Sequence, residues 1–138
     1  MNREMAEIIR NQTPLTLPAS TTLREACRKM HERKVGAVLV TKGTGELVGI
    51  FTGRDAVRVL AEGKNGDMPL RQVMSKDPHC LPPRHTAIHA LRLMQDGGFR
   101  HVPVVEAGVV TGIVSRGDFR GLEQHRLDEE TGMWERMR

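Results

Sequence analysis

The sequence predicts an α/β (α+β) protein in which one β-α-β-β-α unit is written twice and the copies pack as a pseudo-two-fold pair. Two observations carry this prediction. A corner recurs: Gly49-Ile-Phe-Thr-Gly-Arg-Asp55 and Gly112-Ile-Val-Ser-Arg-Gly-Asp118 each end a short apolar run and set a hydroxyl residue three positions before a carboxylate. The chain around the corner repeats as well. At a shift of 64, Leu17-Pro18 meets Leu81-Pro82, and Thr22, Ala26, Arg28 and Met30 meet Thr86, Ala90, Arg92 and Met94. Val38 and Val40 then meet Val102 and Val104, and after one residue is lost in the next turn Asp55 meets Asp118 at a shift of 63. Repetition on this scale marks duplicated supersecondary units. A unit of about 60 residues buries too little surface alone, so the copies are expected face to face.

The elements follow in order. Ile8-Ile9, in a polar stretch, fit one helical turn. Pro14 and Pro18 bracket Leu15-Thr16-Leu17 as an extended piece, because a residue before proline is pushed out of the α region. Thr22-Leu-Arg-Glu25 is a capping box, and Leu23, Ala26, Cys27 and Met30 trace the apolar face of the helix it opens. Residues 35–40, Val-Gly-Ala-Val-Leu-Val, form a continuous apolar run of the kind buried on both faces of a sheet. Residues 41–45 are turn chemistry, 46–51 a second strand, and a helix then runs from Asp55 to a stop at Gly63. The first unit is thus 8–62 and the second 70–122, joined by the Gly-, Asn- and Lys-rich connector from Glu62 to Pro69. Residues 123–138 read as a C-terminal helical tail, with Leu127, Met133 and Trp134 on one side, docked on the protein or bound to a partner helix.

Composition narrows the class. The chain has 138 residues, 38% of them hydrophobic but only 3% aromatic, so packing falls to aliphatic side chains and eight methionines. No apolar run approaches the ~20 residues of a membrane span, and the N-terminus lacks a signal peptide's apolar centre. A soluble, cytoplasmic protein is expected. Two cysteines are too few for a disulfide framework, and Cys27 on an apolar helix face reads as packing. The formal charge of +4 favours anionic ligands. The basic residues are dispersed without interleaved aromatics, which argues against nucleic acid.

The recurring corner has two readings. In one, Thr52/Asp55 and Ser115/Asp118 are only helix capping boxes. In the other they are nucleotide corners: free amides at a helix start attract phosphate, the hydroxyl adds a hydrogen bond, and the carboxylate accepts from ribose hydroxyls. Two copies, each behind a glycine-bearing strand, favour the second. The helix after Asp55 is apolar on more than one side (Ala56, Val57, Val59, Leu60, Ala61), which predicts a second contact, most simply the same helix across a homodimer two-fold.

With these paired corners, Val73-Met74 opening the second unit, and Gly98-Phe-Arg-His-Val-Pro-Val-Val105 as its strand, residues 8–122 resemble a CBS domain pair, or Bateman module. Glu7-Ile-Ile-Arg10 departs from the family's usual Val-x-x-Met opening. The resemblance implies a stand-alone regulatory module that binds AMP, ADP, ATP or S-adenosylmethionine in two clefts, with AMP the leading candidate. In the first cleft it implies Asp118 as ribose ligand, and Ser115, Arg116 and Gly117 along the phosphates. Leu15, Thr16, Val35, Gly36 and Ala37 then sandwich adenine. In the second it implies Asp55 on the ribose, Thr52 and Arg54 facing phosphate, and His79, Cys80, Phe99, Arg100 and His101 as the adenine wall. Arg100 and His101 correspond to basic residues that reach phosphates in the central cavity, and a guanidinium fork suits that task. The first cleft, with Asp118, is expected to be the stronger nucleotide site.

No Ser/His/Asp or Cys/His set and no phosphate loop with its lysine is visible, so no catalysis and no catalytic cofactor are expected. His85 and His89 are four apart, but His85 precedes the cap at Thr86, and no metal site is expected. The predicted function is an adenine-nucleotide sensor that shifts population on binding and is read by an effector protein. The alternatives are a constitutive dimerisation scaffold with empty clefts, or an S-adenosylmethionine binder.

Overall fold

The computed structural model describes residues 3–119. The first half contains α1 (Met5–Ile8), β1 (Thr16–Leu17), α2 (Leu23–Arg33), β2 (Ala37–Thr41), β3 (Leu47–Thr52) and α3 (Gly53–Ala61). A 3₁₀ turn (Leu70–Gln72) and β4 (Ser75–Lys76) lead into α4 (Ala87–Gly97), β5 (His101–Glu106), β6 (Val109–Ser115) and a closing 3₁₀ turn (Arg116–Asp118). The helix expected to follow Asp118, and the tail at 123–138, lie outside the described residues.

Local chemistry sets the element boundaries. Thr22 accepts from the Glu25 amide at 3.1 Å to open α2, and Thr86 accepts from the His89 amide at 3.4 Å to open α4. Both helices end on a left-handed residue, Lys34 (φ 55°) and Gly98 (φ 72°). After Lys34 the Val35 amide still bonds back to Met30 O at 3.1 Å. Val35 therefore belongs to the helix cap and is 37% exposed. The buried strand expected at 35–40 instead starts at Ala37 and runs to Thr41.

β1 pairs parallel with β2, β2 antiparallel with β3, and β3 antiparallel with β4, giving a four-stranded sheet. The second half has a β5–β6 hairpin, to which Leu81 adds a parallel bridge at Val104. That bridge is the counterpart of Leu17 beside Val40. One core joins α2 and α3 to the first sheet through Leu23, Ala26, Met30, Val38, Val40, Phe51 and Val59. A second joins α4 to the hairpin through Ala90, Met94, Val102, Val104 and Val114. The sheets meet through Ala37, Leu39 and Ile50 against Val110 and Ile113.

The opening segments of the two halves are exchanged. Leu70 and Val73, which open the second unit, are buried in the first core, whereas Met5 and Ile9 are buried in the second. The backbone ties are reciprocal: Leu70 N donates to Thr21 O and Arg71 N to Ala19 O, while Met5 N donates to His85 O and Ala6 N to Pro83 O. A glycine in the receiving strand makes room for each visitor. A Cβ on Gly49 would stand 2.6 Å from Met74 Sδ, and one on Gly112 would stand 2.7 Å from Ile9 Cβ.

Filling the second gap should be the costlier, because Ile9 Cβ is fixed to its backbone, whereas at Gly49 the Met74 thioether can turn aside and the fixed neighbour, Ser75 O, is farther off at 3.0 Å. Gly112→Ala is expected to lower stability by about 1–3 kcal/mol, and Gly49→Ala by less. Gly53→Ala, with nothing within 4 Å of the new methyl, should be neutral or slightly stabilising. Urea unfolding midpoints of the three variants check this order.

Candidate ligand-binding site

Both corners form as capping boxes. Asp55 Oδ2 accepts from Thr52 N at 2.9 Å and from Thr52 Oγ1 at 3.1 Å, and the Asp55 amide donates to Thr52 Oγ1 at 3.3 Å. Asp118 Oδ2 accepts from Ser115 N at 2.7 Å and from Ser115 Oγ at 3.1 Å. Each corner is also tied to the residue that leads into the first strand of its hairpin: Gly53 N donates to Gly36 O, ahead of β2, and Arg116 N to Arg100 O, ahead of β5, both at 3.0 Å. The two acids differ in their second oxygen. Asp55 Oδ1 faces Arg58 Nη2 at 3.6 Å. Among the described residues no hydrogen bond or ion pair engages Asp118 Oδ1.

A cavity of about 610 Å³ opens beside the Asp55 corner, a volume within the range of small-molecule sites. Three segments build it. The first half contributes Gly36, Ile50 and the turn from Thr52 to Asp55, and the strand entering the second hairpin contributes Phe99, Arg100 and His101. β4 and the loop after it, Ser75 to His79, form the remaining wall. Phe99 and His79 stack with centroids 5.6 Å apart and planes 7° apart. Asp77, just before Pro78, has φ 48°, a left-handed conformation that a residue preceding proline rarely takes. That kink turns the chain from β4 into the cavity wall.

The residues expected in the second cleft are thus brought together, Cys80 apart: Thr52, Arg54, Asp55, His79 and Phe99 all line the cavity, and Cys80 is exposed outside that lining. Gly36, expected opposite Asp118, faces this cavity too, and Arg100 and His101 lie in the same wall. Ala37 is buried between the sheets, Thr16 is exposed on β1, and Asp118 is not in the lining. Sequence reasoning missed Ile50, Gly53, Ser75, Lys76, Asp77 and Pro78. The available signal was Asp77-Pro78, a turn dipeptide three positions past Met74.

His101 sits between the corners. A Cβ on Gly36 would be 3.3 Å from its Nε2, so the absence of a side chain there leaves space for the imidazole. Burial holds its pKa below the ordinary histidine value, the neighbouring Arg100 charge lowers it further, and Asp118 partly restores it. Cys27 is half-buried against the first core, and burial pushes its thiol pKa up. His85 and His89 do meet, Nδ1 to Nδ1 at 2.9 Å. No group of three or more His, Cys, Asp or Glu side chains that could hold a metal occurs among the described residues. Among them no helix is long and apolar enough to cross a membrane.

A family model described as "CBS domain" matches residues 5–62 and again 70–124. The chain belongs to the CBS domain family. The CBS domain-containing protein CBSCBSPB1 of Arabidopsis thaliana is 41% identical over 108 residues, covering 77% of this chain and 20% of its own length. The chain thus spans about a fifth of that relative. Solved CBS structures share the fold. The CBS domain protein PAE2072 from Pyrobaculum aerophilum, complexed with AMP, superposes with TM-score 0.82 at 24% identity, covering 91% of this chain and 98% of that one. The CBS domain pair of MJ0100, in complex with 5′-methylthioadenosine and S-adenosyl-L-methionine, gives 0.79 at 21% identity over 95% and 99% of the two chains.

The lowered pKa of His101 has a stability consequence. Just below the ordinary value of 6.5 the unfolded chain takes up a proton there before the folded CBS pair does. Its contribution is complete above that pH and is lost as the pH falls toward the folded value. Between about pH 7.5 and 5 the stability of wild type should therefore decline more steeply than that of His101→Asn. Urea titrations across that range measure the difference in slope.

Proposed function

We propose that this chain is a binding module for adenosine-type ligands, adenine nucleotides above all, and that it acts on an effector protein by a ligand-dependent shift in population rather than by catalysis. The observation that carries the reading is the composition of the Asp55 cavity. A flat aromatic pair, Phe99 on His79, stands on one side for a base. A hydroxyl–carboxylate corner at a helix start stands on the other for a ribose and its phosphate. Arg54, Lys76 and Arg100 add fixed positive charge against Asp55 and Asp77. Since Asp55 already faces Arg58, the balance favours a phosphate over a sulfonium cation, and so AMP or a longer nucleotide over S-adenosylmethionine. The AMP named for PAE2072 and the adenosine compounds named for MJ0100 support the same ligand class.

Calorimetric titration with AMP, ATP and S-adenosylmethionine tests the reading. Asp55→Asn should weaken nucleotide binding about 10- to 100-fold, the value of charge-assisted hydrogen bonds to a carboxylate, with the melting temperature measured alongside because the same residue caps α3. Failure of all three compounds to bind at millimolar concentration would leave a constitutive scaffold as the better description.

The proposal includes a homodimer. On α3, Val57 is 69% and Leu60 79% exposed, although Val59 on the opposite side is buried in the core. Neighbouring exposed aliphatics on one helix face suit an isologous contact with the same helix of a second copy. Leu60→Glu is expected to convert dimer to monomer in sedimentation velocity. A wild-type chain that sediments as a monomer at micromolar concentration removes this part of the proposal.

A further inference from the structure

We infer that Arg54 is a positioning residue for the base side of the Asp55 cavity, and not only a phosphate ligand. The inference rests on the adenosine reading above and adds to it how the site is kept preformed. Arg54 Nη1 donates to Gly98 O at 3.2 Å. That bond runs from the first turn of α3, in one half, to the C-cap of α4, in the other. Carbonyls at a helix C-terminus lack intrahelical partners, and a guanidinium there makes a charge-assisted bond. Directly after Gly98 come Phe99, Arg100 and His101, the whole contribution of that strand to the cavity wall.

The aromatic side of the wall is built around the same point. The Phe99 amide bonds to Met94 O at 3.2 Å, folding the chain back over the end of α4. Its ring lies where a Cβ on Gly97 would be, 2.0 Å from that position, and stacks on His79. Gly97 therefore gives the ring its seat, the stack on His79 fixes one edge, and Arg54 fixes the backbone between helix and strand. The guanidinium carries five N–H donors, so holding one carbonyl leaves donors for an anion.

Among the described residues the other corner has none of these parts. At the shift of 63, Gly117 stands where Arg54 does and supplies no side chain. At the shift of 64, Arg33, Lys34 and Val35 replace Gly97, Gly98 and Phe99. Arg33 is turned away onto Thr13 O, and Val35 is exposed. Among the described residues the strap and the ring seat occur together at one corner and neither occurs at the other, which assigns them to a single task.

Adenosine, which has no phosphate, separates this role from simple anion binding. Arg54→Ala should weaken adenosine about tenfold as well as AMP, and Arg54→Lys, which keeps a cationic donor, should recover part of the adenosine loss. Amide exchange at Phe99, Arg100 and His101 in the ligand-free protein should quicken in Arg54→Ala and stay near wild type in Arg54→Lys. Loss of AMP binding with adenosine unchanged would make Arg54 a phosphate ligand alone and overturn the inference. Unchanged exchange at those amides would overturn it even if no adenosine compound binds, whereas faster exchange with no binding would support the strap and defeat the ligand class.

Discussion

The structure depends on a reciprocal exchange: each half is completed by the segment that opens the other. Leu70 and Val73 finish the first core, Met5 and Ile9 the second. Each fully buried aliphatic side chain contributes about 1.5–3 kcal/mol, so removing one opening would cost a core several such contributions. Neither half is a closed hydrophobic unit alone. The same ties fix the relative orientation of the halves, because Leu70 and Met5 are hydrogen-bonded to the backbone that leads into the opposite helix. A cavity wall assembled from both halves can then keep its shape without a ligand.

β4 follows directly from that exchange. After Met74 packs against Gly49, the chain must leave antiparallel to β3, pairing Ser75 with Ile50 and Lys76 with Gly49. The left-handed turn at Asp77 then directs it along the cavity toward His79. In the other half no such strand occurs among the described residues. There the Gln12 side chain, through Oε1, accepts from Ile113 N at 3.1 Å, the residue that matches Ile50. One opening thus supplies a cavity wall and the other ends as a side-chain plug, so duplicated sequence produces unequal corners.

How much of this could be read beforehand depended on the range of each interaction. The corners were legible because a capping box is complete within four residues, and Thr52 and Asp55 form theirs as their spacing required. The duplication was legible because Leu81, Val102 and Val104 preserve the apolar positions of Leu17, Val38 and Val40. Val35 misled, since an apolar run does not reveal that Lys34 turns left-handed and draws the Val35 amide back onto Met30. The exchange was not legible at all. Val73-Met74 has the same pattern whichever core receives it, and the space above Gly49 is visible only once the strands are placed. β4, two residues long, carries no periodicity to detect.

His101 meets both corners, one by contact and the other by charge. Its ring lines the Asp55 cavity against Gly36, yet it is near enough to Asp118 for that carboxylate to stabilise its charged form. Burial and Arg100 favour its neutral form and Asp118 opposes them, so an anion bound beside the ring would favour its protonation. The space that the missing side chain of Gly36 leaves is what lets a single titratable ring line the Asp55 cavity and still feel the Asp118 carboxylate.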